Sequence, residues 1–268
     1  MAFEGKNIAI TGAASGIGRG LALALAARGA RLTLADINLA GAQAVAAEIE
    51  RAGGRASAVG LDVADEAAFS RMLDAVQPLD YLFNNAGYAM LGESRDMPYA
   101  DWRRLVEVNL LGVLAGSLAA YRRMVRQGHG HIVNVASLAG LVGSPLMTAY
   151  SMTKSAVVMF SRMLRTEGEA LGVKVSVVCP SFIQTGIFDA SKYAAVDRNE
   201  VVKQIPFPVM PLAPAIERIV AGVARNEAVI VFPFHARFLW RLLRWLPGLS
   251  KPLERKALRD FRTIRKDG

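Results

Sequence analysis

The chain is expected to fold as a Rossmann-type α/β protein: a doubly wound, seven-stranded parallel sheet with helices on both faces. Three observations predict this. Short apolar runs alternate with long helical stretches along most of the 268 residues, and strands joined through helices pair in parallel by right-handed crossovers. The core is aliphatic, with 53% hydrophobic but only 7% aromatic residues, as strands buried on both faces require. A glycine-rich turn, TGAASGIG, joins the first strand to the first helix, and glycines there allow a tight turn against a helix N-terminus that favours anions.

The elements follow in order. NIAIT is the first strand and GIGRGLALALAARG a helix with a glycine stop. RLTLAD is the second strand, followed by INLAGAQAVAAEIERAGG, a helix closed by Gly53 and Gly54. ASAVGLDV precedes the helix DEAAFSRMLDAV, which Asp65 is placed to cap. LDYLFNNAG is strand four, a helix covers roughly 99–127, and HIVNVAS is strand five. AYSMTKSAVVMFSRMLRTEGEALG reads as a long helix and VKVSVVCP as strand six. An irregular stretch then precedes APAIERIVAGVARN and AVIVF, a helix and a seventh strand. No linker or repeat interrupts residues 1–232, which form one nucleotide-binding domain with a variable lobe at about 186–212. Residues 233–268 are a basic, amphipathic helical extension.

Composition excludes several classes. The single cysteine, Cys179, forbids an intrachain disulfide and is expected to be an inert buried thiol. No secretory signal is evident, because KNIAITG begins a strand almost at once. No run of 18 uncharged apolar residues predicts a membrane-spanning helix. The expectation is a cytoplasmic protein, attached at most to a membrane surface. The net charge of +9 is concentrated in the tail, where Phe232–Gly268 holds ten Lys or Arg against three Asp or Glu. A nucleic-acid role for the whole chain is therefore disfavoured.

Candidate site residues stand where such a sheet binds ligands, at the carboxyl ends of its strands. Gly12, Ser15, Gly16, Ile17 and Gly18 form the phosphate loop. Asp36 ends the second strand, where a carboxylate accepts ribose hydroxyls and repels a 2′-phosphate; alternatively it caps the next helix. Ile37 supplies no arginine beside it and Arg19 compensates only in part, so NAD is favoured over NADP. Asp62 is placed to meet an adenine amine, with Val63 over the ring. Asn85, Ala86 and Gly87, with Asn84 before them, end strand four as ligand contacts or as ties between strands. Tyr150 and Lys154, four apart, project from one helical face. No cluster suggests a metal site.

TGAASGIG, NNAG, Asn109, Ser137 and YSMTK, in this order, resemble the short-chain dehydrogenase/reductase family over about residues 3–232. The glycine spacing is similar to that of its single-domain oxidoreductase branch. The resemblance implies that Tyr150 is a general acid/base for a secondary alcohol or its ketone, with hydride transfer to or from NAD. Lys154 would hold the nicotinamide ribose, Ser137 the substrate oxygen, and Asn109 a water leading from Lys154. A free phenol near pKa 10 is mostly protonated at neutral pH, and a neighbouring cation favours the phenolate. Lowering it by two or three pH units asks for roughly 3–4 kcal/mol. Pro180, Ile183 and Thr185 fall where the family contacts the carboxamide and diphosphate. Pro180-Ser181 departs from the usual Pro-Gly and puts the local backbone geometry in question. Homodimers or homotetramers built through the long helices are also implied. A catalytically silent NAD sensor would not need the complete Asn-Ser-Tyr-Lys set, and a membrane-surface scaffold leaves that set unexplained.

An apolar alcohol or ketone is the expected substrate, lined by Tyr88, Met90, Leu141, Val142, Leu146, Met147, Phe188, Tyr193, Phe207 and Met210. In the tail, FPFHARFLWRLLRWLPGL puts Arg237, Arg241 and Arg244 on one stripe with aromatics and leucines around them. Residues 234–246 read equally as an interfacial helix or as one packed on its own lobe or another subunit. The following basic segment is expected to be a solvated terminal helix.

Overall fold

The computed structural model describes residues 2–186, 191–203 and 208–266. Its strands are β1 (Asn7–Thr11), β2 (Arg31–Asp36), β3 (Arg55–Gly60), β4 (Tyr81–Asn84), β5 (Met90–Leu91), β6 (Gly130–Val135), β7 (Val173–Pro180), β8 (Lys192–Tyr193) and β9 (Val229–Phe232). Seven of them form one parallel sheet in the order β3-β2-β1-β4-β6-β7-β9, as expected. The remaining two, β5 and β8, pair in parallel as a small second sheet that short apolar runs in the sequence did not announce.

Period-two alternation sends successive side chains to opposite layers. Ile8 and Ile10 enter one core with Leu32, Leu34, Val133 and Val178, whereas Ala9, Ala35, Leu82, Ile132 and Val175 enter the other. Helices α1 (Gly16–Ala26) and α2 (Leu39–Arg51) cover the first layer; α3 (Glu66–Asp74) helps to cover the second. Asp65 caps α3 by accepting from the Ala68 amide at 2.9 Å. Gly53, at φ +82°, ends α2 in the left-handed region that glycine tolerates.

Helix α4 (Tyr99–Val106) runs through a π-helical turn, Glu107–Leu111, into α5 (Gly112–Gln127). By length and mean hydropathy alone this Tyr99–Gln127 stretch matches a membrane span, although charged residues interrupt it. Its inner face nevertheless packs on α3 and the sheet and buries Asn109 and Ser117. Ser117 belongs to a buried network: Asn84 Nδ2 donates to Ser117 Oγ at 3.0 Å and Asn134 Oδ1 at 2.8 Å, and Asn134 Nδ2 donates to Ser161 Oγ at 2.9 Å. These bonds tie β4 and β6 to the helices that cover them.

Beyond β6 come α6 (Ala139–Val142) and α7 (Thr148–Gly168); beyond β7 come α8 (Arg198–Lys203) and α9 (Leu212–Ala224). The tail forms α10 (Phe234–Trp245) and α11 (Ser250–Ile264). Ala236 of α10 is fully buried, and Trp240 packs on the cluster that includes Leu138 and Val157. Helix α11 is solvated along most of its length, as expected, but its C-terminal part docks on the body. Phe261 is buried, Arg262 donates twice to the Glu93 carboxylate at 3.0 and 2.9 Å, and Arg265 clasps Asp96 at 3.0 and 2.8 Å.

Candidate active site

The strand order reverses at β1 and β4, so the loops after those two strands face the crevice where such sheets bind ligands. Gly12 sits at φ +66° and Gly16 at +52°. A Cβ on Gly18 would lie 2.0 Å from the Gly12 carbonyl oxygen, and one on Gly12 would lie 2.9 Å from Ala86 Cα. Only glycines fit this cradle. Ser15 precedes α1 in an extended conformation without a side-chain cap, leaving the first-turn amides of Gly16, Ile17 and Gly18 without a capping side chain. The residues therefore fit a dinucleotide diphosphate.

Asn85 fixes the loop: its Nδ2 donates to the Thr11 and Gly12 carbonyls at 3.0 and 3.1 Å. Thr11 Oγ1 returns the tie by accepting from the Asn85 and Ala86 amides. Both asparagines of NNAG thus hold strands together, the second of the readings left open by the sequence. The role of Thr11 was not anticipated, although it opens the glycine motif. Thr185 lies against Gly16, 3.4 Å from where a Cβ would stand. Ile183 is buried and bridges to Met210, and Pro180 accepts from the Leu138 amide at 2.8 Å. Ser181 donates its amide to Phe232 and needs no positive φ, so the missing glycine leaves the backbone path unstrained there.

Asp36 does not cap α2. Asn38 does, accepting from the Gly41 amide at 3.0 Å. The two Asp36 oxygens instead accept from the Ala14 and Asn38 amides, each at 2.9 Å, which fixes a carboxylate at the end of β2. Arg19 is engaged with Glu48 at 2.7 Å. Asp62 accepts from the Ala64 amide and pairs with Arg104 at 2.6 Å. Burial works against ionisation of Asp62, but the Ala64 amide and Arg104 together hold its carboxyl below the usual range. Arg104 was missed because its partner lies 42 residues upstream. Val63 lies under Gly112, where a Cβ would approach it to 2.8 Å.

The four proposed catalytic side chains converge. The Asn109 amide grips the Tyr88 backbone, donating to its carbonyl at 2.8 Å and accepting from its N–H at 3.1 Å. This happens inside the π-helical turn, which rotates Asn109 towards the loop after β4. A Cβ on Gly87 would stand 3.0 Å from Asn109 Oδ1 and 3.5 Å from Lys154 Nζ. On α7, Tyr150 and Lys154 are both buried. Ser137 stands near enough to the Tyr150 hydroxyl to influence its titration, and its Oγ accepts from the Ala139 amide at 3.2 Å.

The ammonium is adjacent to Tyr150, over its ring. Lys154 Nζ donates to the Val135 carbonyl at 2.9 Å and lies over the Tyr150 ring, 5.6 Å from its centroid. Burial pushes the Tyr150 phenol up to about 12, with Ser137 opposing it. Burial also lowers Lys154 to about 8. Among the protein's own groups, then, the phenol is a proton carrier in its acid form. Cys179, fully buried behind Lys154, is pushed up to about 12 by burial and is the inert thiol expected.

Tyr88, Met90, Met147 and Tyr193 of the expected substrate lining gather with Tyr150. Leu141 and Val142 instead pack towards α10, and Met210 towards the α9 side. Leu146 holds φ +68° while its carbonyl accepts from the Gly92 amide. Phe188 and Phe207 lie outside the described residues. Among the described residues, no cluster of acidic, His or Cys side chains suits a metal.

This combination of glycine cradle, strand-end acids and buried Tyr-Lys pair defines a nucleotide-dependent oxidoreductase on a Rossmann fold. The comparisons agree. A sequence model described as short chain dehydrogenase matches residues 6–194, and the chain belongs to the short-chain dehydrogenase/reductase family. It is 34% identical over 248 residues to the putative oxidoreductase SadH of Mycobacterium tuberculosis, covering 88% of each chain. A family member from Burkholderia phymatum in complex with NAD superposes with a TM-score of 0.85 at 28% identity, over 93% of this chain and 96% of that one. A dehydrogenase from Sphingobium yanoikuyae in complex with NADPH gives 0.79 at 29% identity, over 92% and 94%. The bulky-bulky ketone specific alcohol dehydrogenase of Comamonas testosteroni gives 0.75 at 25% identity, over 92% and 94%.

Proposed function

We propose that this oxidoreductase interconverts a lipophilic secondary alcohol and its ketone, using NAD. The observation that carries the reading is the buried Tyr150 beside Ser137, with Lys154 over the ring and the glycine cradle alongside. Bound in that cradle, the nicotinamide ring would supply or accept the hydride. Gly12, Gly16, Ile17 and Gly18 would hold the diphosphate, and Lys154 the adjacent ribose. Ser137 orients the substrate oxygen towards Tyr150, and the proton moves at the Tyr150 hydroxyl. A phenol held near 12 is a ready donor to a forming alkoxide. In the oxidative direction the Lys154 ammonium favours the phenolate. Asn109, locked to the Tyr88 backbone, positions the turn against which Lys154 rests.

NAD over NADP is supported by the fixed Asp36 carboxylate and by Arg19 being occupied with Glu48. An apolar substrate is supported by the Tyr88, Met90, Met147 and Tyr193 lining and by the ketone class of the Comamonas neighbour. The test is Tyr150→Phe, assayed by NADH absorbance on a panel of apolar ketones. Turnover is expected to fall by about 10²–10⁴, while NAD affinity stays within a few-fold. Retained turnover would remove the proton from Tyr150.

A further inference from the structure

We propose that the outward face of α10 docks on a bilayer carrying anionic phospholipid. The sequence suggested an arginine stripe separate from the aromatics, but the fold places both on one surface. Ala236, Leu239, Trp240 and Leu243 turn towards the protein body. Phe234, Arg237, Phe238, Arg241, Arg244 and Trp245, spaced three or four apart, share the opposite face. Phe234 is 84% exposed and Trp245 83%. Leu246, Leu249 and Leu253 carry the apolar surface on past the helix end.

Two further observations select this occupant. The arginines at the two ends of the tail differ in their partners. Arg262 and Arg265 are satisfied by Glu93 and Asp96. Among the described residues, no carboxylate pairs with Arg237, Arg241 or Arg244, so the positive charge on the exposed face is uncompensated. Phe234, Arg237, Phe238 and Arg241 also line a shallow groove of about 290 Å³. Its two guanidinium groups suit phosphate oxygens and its two rings suit the boundary of the acyl region. An acidic partner protein would need the charge but not three outward aromatic rings with three adjoining leucines. A helix anchored at its far end by α11 presents this face as a fixed surface. The inference stands on α10 alone and does not rest on the proposed reaction.

The experiment uses the full chain with vesicles of phosphatidylcholine, alone or mixed with phosphatidylglycerol. Co-sedimentation is expected only with the mixed vesicles and is expected to weaken as salt is added. Each basic side chain at such a surface contributes about fivefold in partitioning, so Arg237→Gln/Arg241→Gln/Arg244→Gln should lose roughly 100-fold. A blue shift of tryptophan emission on adding mixed vesicles should vanish in Trp245→Phe. Unchanged thermal melting of the variants shows that the fold survives, since all four positions are exposed. Failure of the unmodified protein to sediment with mixed vesicles overturns the proposal, as does equal binding by the triple variant. So does self-association that buries Trp245 without lipid, which would make the occupant a second copy.

Discussion

At the scale of single residues, the chemistry depends on what burial does to each ionisable group. Tyr150 and Lys154 were legible because their spacing on α7 is local. The direction of the Lys154 ammonium was not, since the Val135 carbonyl that draws it lies across a sheet-helix contact. The same limit hid the Asp62–Arg104 pair. Asp36 is more predictable: its carboxylate is fixed by two backbone amides beside the exposed Ile37. Asp36→Ala with Ile37→Arg is therefore expected to move the NADH:NADPH ratio of kcat/KM towards NADPH by at least tenfold. An unmoved ratio would remove Asp36 from cofactor choice. His131 gives a stability prediction. Its Nε2 donates to Ser176 Oγ at 2.9 Å, because that hydroxyl is already committed to the Glu227 carbonyl. Burial first, then Lys174 and Arg165, depress the imidazole to about 3 from 6.5. The unfolded chain thus binds the extra proton between these values. The contribution is complete above pH 6.5 and is lost as pH falls towards 3, up to about 5 kcal/mol in all. Urea unfolding at several pH values should show a flatter acid limb for His131→Gln than for the unmodified protein.

At the scale of elements, strands and major helices followed from apolar periodicity, and the caps at Asp65 and Gly53 from local chemistry. The elements that escaped are those fixed by distant partners. The two-residue strands β5 and β8 exist only because they meet each other, and the π-helical turn exists where Asn109 reaches the Tyr88 backbone. Helix α11 is the clearest case. Its amphipathic pattern announced a helix, but Glu93 and Asp96, its docking carboxylates, lie 169 residues upstream. Arg262 lowers the Glu93 carboxyl and Arg265 that of Asp96, as expected for ionised pairs. The Lys266 amide also donates to the Ala195 carbonyl beside β8. The tail thereby straps the small sheet that borders the Tyr150 cluster. Glu93→Gln/Asp96→Asn should release it. Limited trypsinolysis is expected to cut within 251–266 several-fold faster than in the unmodified protein, with the 1–232 body intact. An unchanged cleavage rate would show that Phe261 and the backbone contact hold the strap alone.

At the scale of the whole molecule, the doubly wound sheet explains why function collects at one edge and why another surface is left for association. Covering both sheet faces with helices buries the strands but turns the outer sides of those helices to solvent. Most such sides are polar. Helices α5 and α7 and the π-helical turn between α4 and α5 are different: Leu111 and Leu118, seven apart, and Met152, Met159 and Met163, seven and four apart, are all substantially exposed. Their spacing puts each set on one helical stripe, and long unbranched methionines adapt to a facing copy. We expect a symmetric dimer or tetramer through this surface, on the side of the molecule where the Asn84–Ser117–Asn134–Ser161 network stiffens the helices against the sheet. A stable interface of this kind needs about 1,200–2,000 Å² in total, which two adjoining helices from each copy can supply. A carboxylate at its centre would be buried without a partner on association. Leu118→Glu/Met159→Glu should therefore shift the sedimentation coefficient to that of a monomer while leaving the far-ultraviolet circular dichroism unchanged. If the unmodified protein sediments as a monomer at all concentrations, these residues are an ordinary exposed surface. If it associates and the double variant does too, the contact lies elsewhere, and the outward face of α10 is the next surface to mutate.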